Sequence, residues 1–177
     1  SYVDRYPQAA RAFAPDHYEG AKRAYRPQLV NAYDNTIHHT DLLLSQVMAA
    51  LEGQGGSAAM VYTSDHGEDI FDDRRHLFLH ASPFPSYWQL HVPLVVWTSD
   101  AYRQRHADLV ATLEANRHRA AESNSVFHTL LTLGGVATRY RNDALSLASR
   151  GHAAGNREGT LAAAHGVLFD EALGIVH

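Results

Sequence analysis

The chain is 177 residues long, 45% hydrophobic and 19% charged, with a formal net charge of −4 and no cysteine. These values fit one domain, or most of one, with a core; they exclude a disulfide scaffold, a thiolate metal site and a basic nucleic-acid surface, and no apolar run approaches the ~20 residues of a membrane span. The feature to be explained is the histidine content, 13 residues against 15 Lys plus Arg, because imidazole is the commonest metal ligand and the usual proton carrier near neutrality.

Residues 1–28 alternate Tyr2, Tyr6, Tyr18 and Tyr25 with Pro7, Pro15 and Pro27, a pattern that allows turns but no long helix and predicts an aromatic-anchored surface loop. Over 29–52 the apolar residues Val30, Tyr33, Ile37, Leu44, Val47, Met48 and Leu51 recur at helical spacing. They predict a helix with one buried face, stopped by Gly53 and the Gly55-Gly56 pair. Ala58 to Thr63 is a short apolar run that reads as a buried strand, and His91 to Trp97 is a second, with Pro93 near its start. Between them, 64–90 is a polar and aromatic excursion containing Pro83 and Pro85. Ser99 or Asp100 can cap a helix running to about Asn116, and Ser123 or Ser125 another that carries Val126, Leu130 and Leu133 and closes at Gly134-Gly135. After residue 140 the pattern fades, and 150–166, rich in Gly, Ala and His, reads as loosely ordered. A helix, a glycine turn and a buried strand in succession indicate the α/β class.

The sharpest local feature is Ser64-Asp65-His66-Gly67-Glu68, directly after the first strand. Where a strand breaks into a loop, neighbouring side chains can turn to one point, and Gly67 permits a sharp turn. A carboxylate oxygen beside an imidazole nitrogen suits zinc or a similar divalent ion. The same residues could instead cap a turn, and two ligands do not complete a site. Fourteen residues on, His80 could be a second-site ligand or a proton donor to a leaving group, or a loop histidine held by backbone. His91 reads as structural, donating to backbone near the strand. His76, among Asp69, Asp72, Asp73, Arg74 and Arg75, reads as part of a solvated charged loop. There is no Gly-rich phosphate loop, no G-x-S-x-G elbow and no H-E-x-x-H.

In this order, Tyr33-Asp34-Asn35-Thr36-Ile37, Ser64-Asp65-His66-Gly67-Glu68, Leu79-His80 and His91-Val92-Pro93 resemble the C-terminal part of the catalytic domain of the phosphoethanolamine transferases. Those enzymes belong to the alkaline phosphatase/sulfatase superfamily. S-D-H-G-E alone recurs across that superfamily; its combination with the preceding helix and the following H-V-P strand is more specific. The resemblance covers roughly residues 30–135.

It implies a partial sulfatase-like layered α/β fold, a central sheet flanked by helices. Residues 1–177 would be the C-terminal portion of a catalytic domain: an irregular segment at 1–28, an α/β core at 29–140 and a loosely ordered tail at 141–177. Asp65 and His66 would be ligands of a catalytic zinc, one of one or two divalent ions. His80 would contact the phosphoryl group or a second metal, and Glu68 would stand behind them. The family's zinc activates a Thr that takes phosphoethanolamine from a phospholipid of the phosphatidylethanolamine type and passes it to a lipid A-type or other glycan acceptor. Thr36, Thr40 and Thr63 are not in the matching position, so the nucleophile is expected upstream, together with a membrane anchor. The parent protein would act at the periplasmic face of the bacterial inner membrane, this segment being soluble, inactive in isolation and without a nucleic-acid partner. The absence of cysteine departs from the family's frequent disulfides and implies a divergent subgroup. The competing readings are a sulfatase, phosphodiesterase or phosphoglycerol transferase of the same superfamily, and a non-catalytic sulfatase-like module.

Overall fold

In the computed structural model the described residues are 11–80 and 82–153, with the backbone of 169–170 and 175–176. In chain order the elements are α1 (Arg26–Gly53), β1 (Ala59–Thr63), β2 (Asp69–Ile70), β3 (Phe78–Leu79), α2 (Tyr87–Leu90), β4 (Leu94–Thr98), α3 (Asp100–Arg105), α4 (Ala107–Asn116), α5 (Ser125–Leu133), β5 (Phe169–Asp170) and β6 (Ile175–Val176). Short 3-10 turns lie at Arg23–Tyr25 and Asp143–Leu145. The described residues form two units: those within 11–50 and 64–93 with 169–170 and 175–176, and those within 51–63 and 94–153. The expectations for Tyr2, Tyr6, Pro7 and residues 154–166 fall outside the described residues.

In the first unit α1 begins three residues ahead of its periodic pattern, with Pro27 in the first turn, where a missing N–H costs no hydrogen bond. Leu29, Ala32 and Asn35 are buried, but Ile37 and Leu43 are 53% and 54% exposed. The expected buried face is therefore realised only in the first turns, because a helical stripe buries only where another element meets it. Among the described residues, polar groups anchor the irregular segment before α1 at residues 11–16. Asn35 Oδ1 accepts from the Phe13 N–H at 2.9 Å, and its Nδ2 donates to the Phe13 carbonyl at 3.0 Å and to Asp16 Oδ2 at 2.9 Å. Arg11 grips the same Asp16 carboxylate through two nitrogens, at 2.9 and 2.6 Å. The guanidinium's hydrogen bond is the main reason the Asp16 carboxyl titrates below its ordinary value; burial opposes it. β5 and β6 pair antiparallel, Phe169 opposite Val176.

In the second unit β1 and β4 pair antiparallel in the register Ala59↔Thr98, Val61↔Val96 and Thr63↔Leu94. The strand expected at 91–97 thus starts only after Pro93. Ala59, Val61 and Val96 pack with Leu109, Val110 and Leu113 against the buried Tyr102, Leu133 and Ala148, so helices cover the sheet as the α/β reading required. The Tyr102 hydroxyl donates to the Leu133 carbonyl at 2.6 Å, and burial pushes its phenol up. The helix expected over 99–116 is two helices, because His106 leaves helical geometry at φ −126° and ψ 43°. Ser99 caps the first, accepting from the Tyr102 N–H. Neither Ser123 nor Ser125 caps α5, whose N-cap position is Asn124. Gly134 closes it and Gly135 follows at φ 64°, the left-handed turn expected there.

The segment 142–153, expected to be loose, is packed. Asn116 Nδ2 donates to the carbonyls of Leu147 and Ser149 at 2.9 and 3.0 Å, and Thr129 Oγ1 accepts from the Leu147 N–H at 3.0 Å. Small polar residues hold this stretch, so it carries no hydrophobic period.

Replacing Asn35 with Ala strands the Phe13 N–H and carbonyl and leaves Asp16 Oδ2 with Arg11 as its donor, and is expected to cost about 2 kcal/mol by urea unfolding. Asp16, lowered in the folded state, stabilises the fold above its ordinary unfolded pKa, and that contribution is lost as pH falls through the lower folded value. Asp16→Asn is therefore expected to flatten the acid limb of a stability-versus-pH curve, measured by the same unfolding series.

Candidate metal centre

β1 runs directly into Ser64, and local hydrogen bonds shape the turn that follows. The Ser64 hydroxyl donates to the His66 carbonyl at 2.8 Å, and the His66 N–H donates to Asp65 Oδ1 at 3.1 Å. The Gly67 N–H donates to the Gln89 carbonyl at 2.8 Å. A Cβ on Gly67 would stand 1.9 Å from the Trp88 carbonyl oxygen. Gly67 does not occupy the left-handed region, where Gly20, Gly55 and Gly135 sit. Glycine is required here by the close approach of α2, and not by the turn freedom expected from sequence.

The polar and aromatic excursion after the motif contains a short hairpin. β2 and β3 pair antiparallel, Asp69 opposite Leu79 and Ile70 opposite Phe78. The buried Asp69 carboxylate accepts from the Ser86 hydroxyl at 2.6 Å and from Gln89 Nε2. The same Nε2 donates to the Leu79 carbonyl at 3.3 Å. At the hairpin tip Arg75 pairs with Asp73 at 2.6 Å, Arg26 with Asp72 at 2.8 Å, and Arg23 Nη1 lies 3.2 Å from His76 Nε2. The carboxylates here are paired rather than solvated, contrary to the solvated-loop reading: Asp69 is buried, and the Asp73 and Asp72 side chains are 3% and 13% exposed. Phe71, His76 and Leu79 hold φ of 58°, 53° and 65°, the left-handed region that L side chains avoid.

The hairpin returns His80 to the motif. His80 Nδ1 lies 2.8 Å from Glu68 Oε1, and the His66 and His80 rings lie 3.7 Å apart, centroid to centroid. His66 Nδ1 lies 3.0 Å from the Gly67 carbonyl and 3.9 Å from Glu68 Oε1. Its Nε2 lies 3.8 Å from Asp65 Oδ2. A carbonyl can only accept, so it sets the His66 proton on Nδ1 and leaves a lone pair on Nε2, the atom facing Asp65. The carboxylate of Glu68 does the same for His80. Ligand atoms of His66, Glu68 and His80 all lie within 4.8 Å of one another. Glu68 Oε2 is buried without a hydrogen-bond partner among the described residues.

Sequence reasoning placed Glu68 behind the site; in the structure its Oε1 lies beside both rings, 2.8 Å from His80 Nδ1 and 3.9 Å from His66 Nδ1, with its side chain only 20% exposed. Asp65 lies outside that cluster and is 88% exposed, but its carboxylate faces the His66 lone pair. His91, expected to bond backbone, instead has Nδ1 2.7 Å from the Tyr87 hydroxyl and stacks on that ring. Gln89 carried no signal in the sequence, since a lone Gln between two strands has no motif.

The Sulfatase family model matches residues 1–136. Phosphoethanolamine transferase EptA of Salmonella typhimurium is 32% identical over 147 residues, which span 79% of this chain and 26% of that relative. The soluble domain of lipooligosaccharide phosphoethanolamine transferase A from Neisseria meningitidis superposes with a TM-score of 0.74 at 29% identity, over 82% of this chain and 45% of that one. The C-terminal periplasmic domain of phosphoethanolamine transferase EptC from Campylobacter jejuni gives a TM-score of 0.74 at 26% identity, over 88% and 49%. This chain thus spans about a quarter of the length of the curated relative and less than half of either solved domain.

Gly67→Ala forces a methyl into the Trp88 carbonyl and is expected to destabilise the first unit by on the order of 3 kcal/mol. Thermal unfolding followed by circular dichroism checks this; an unchanged midpoint would show that the close approach is not required.

Proposed function

The chain belongs to the Sulfatase family, and on that footing we propose that it supplies part of the active site of a zinc-dependent phosphoethanolamine transferase. The observation that carries the proposal is the pairing of Asp65 Oδ2 with the lone-pair nitrogen of His66 at 3.8 Å; Glu68, on the Nδ1 side of the same ring, keeps a buried oxygen with no hydrogen-bond partner among the described residues. Carboxylate oxygen and neutral imidazole nitrogen are the ligand types that zinc takes. A buried carboxylate oxygen with no donor is costly until something positive meets it. The residues therefore fit the ion, with Asp65 and His66 as its holders and Glu68 and His80 beside them.

Bound there, zinc would neutralise charge on the transferring phosphoryl oxygens and favour the ionised form of a hydroxyl nucleophile. In the proposed reaction the phosphorus–oxygen bond to the donor lipid breaks as a bond to a Thr oxygen forms, and a second transfer gives the acceptor its phosphoethanolamine. That Thr is not among the matching positions of this chain. His80 serves the departing oxygen: Glu68 occupies Nδ1, so Nε2 is the atom that delivers the proton, and the Glu68 carboxylate supplies the countercharge to a doubly protonated ring. Glu68 thus acts as a positioning residue, and His80 is the group that touches the reacting atoms.

The donor is proposed to be a phosphatidylethanolamine-type phospholipid and the acceptor a glycolipid. The names of the Salmonella and Neisseria relatives support the transferred group, and the lipooligosaccharide in the Neisseria name supports the acceptor class. A periplasmic location follows the same relation to the Campylobacter domain. Among the described residues no helix is long and apolar enough to cross a membrane.

Zinc affinity, measured by competition with a chromophoric chelator, is expected to fall at least ~10-fold in His66→Ala and in Asp65→Ala. Unchanged affinity in both would reject the metal assignment. The purified chain, assayed alone with a phosphoethanolamine donor, is expected to show no turnover, and turnover would place the nucleophile within these residues.

A further inference from the structure

We propose that Gln89 is the positioning residue that assembles this centre, tying together the chain segments that carry His66, Glu68 and His80. The inference rests on the metal reading for its consequence, but not for its geometry. Three contacts of one residue reach the neighbours of all three side chains. The Gln89 carbonyl accepts from Gly67, which lies between His66 and Glu68. Its side-chain nitrogen donates to Asp69, which follows Glu68, and to the Leu79 carbonyl at 3.3 Å, which precedes His80. Both side-chain partners can only accept, so the amide is fixed with its nitrogen toward them. No other natural uncharged side chain of this length brings two N–H donors from one atom.

The arrangement has work to do. Leu79 sits at φ 65°, a conformation that persists in an L residue only where surrounding contacts over-determine it. The amide nitrogen bridges the two residues of the Asp69↔Leu79 pair from the side. It thereby fixes the spacing of the hairpin strands at the point where His80 leaves for Glu68. Gln89 is 4% exposed, so solvent does not compete for its donors. Its own N–H donates to the Ser86 hydroxyl, which in turn donates to Asp69. The clamp and the buried carboxylate are thus one closed set of hydrogen bonds.

The test uses Gln89→Met, which keeps length and loses both donors, with Asn35→Ala as a control that weakens the same unit away from this loop. In the metal-free chain, the nuclear Overhauser contact between the His66 and His80 rings is expected to vanish in Gln89→Met and to survive in Asn35→Ala. Zinc affinity is expected to fall by on the order of 10-fold in Gln89→Met alone. A folded Gln89→Met that keeps the ring contact would overturn the inference. Should Gln89→Met fail to fold, the exchanged pair Asp69→Asn with Gln89→Glu decides. It restores one amide–carboxylate bond but turns a carboxylate to the Leu79 carbonyl, so loss of the ring contact is expected and its retention contradicts the role. A wild-type chain that keeps the ring contact but binds no zinc would defeat the metal reading and leave this positioning role standing.

Discussion

The buried carboxylate of Asp69 sets the conditions for everything around it. A carboxylate taken out of water must be met by donors or neutralised, and its described donors are the Ser86 hydroxyl and the Gln89 amide. Ser86 is the N-cap of the short helix α2 and Gln89 lies within it; at four residues that helix has no stability of its own. The charge therefore recruits the helix, and the helix in turn fixes the motif loop. Once α2 is seated, the Trp88 carbonyl occupies the space beside Gly67. His66 and Glu68 stand on either side of that glycine, so where they project follows from how closely backbone meets backbone. The placement of both side chains is thus set by a packing constraint one residue away from each.

A division of labour follows. Asp69, Ser86 and Gln89 are buried and spend their hydrogen-bonding capacity on one another. Asp65, His66 and His80 are partly or largely exposed and leave ligand atoms open. Glu68 lies between the two sets: one oxygen orients His80 and the other is buried with no partner among the described residues. Left-handed backbone at Phe71, His76 and Leu79 brackets the hairpin that delivers His80. Strain of this kind is tolerated where the surrounding contacts fix it, and it concentrates at functional sites.

Much of this was legible in the sequence, for identifiable reasons. α1 follows from hydrophobic period and β1 from a short apolar run after a glycine turn, and the contiguous S-D-H-G-E motif can be read as chemistry. The fold class followed from the order of helix, glycine turn and strand. What the sequence hid lay in long-range polar pairing. Asn35 holds Phe13 from 22 residues away, and Asn116 holds Leu147 from 31 residues away; neither contact has a local signature. The contact of Glu68 with His80 was hidden because the two lie 12 residues apart and a spacing of that length has no rule. The buried face assigned to α1 failed for a different reason. Periodicity says which side of a helix is apolar, while burial depends on what meets it.

The central claim is that the fold places Asp65 and His66 to share one divalent ion, with Glu68 and His80 at its side. Crystals of the chain grown with zinc, measured on both sides of the zinc absorption edge, test it most directly. The account predicts an anomalous peak within about 2.0–2.2 Å of His66 Nε2 and of an Asp65 carboxylate oxygen. A map in which zinc binds elsewhere on the chain, with no peak at His66, would contradict it.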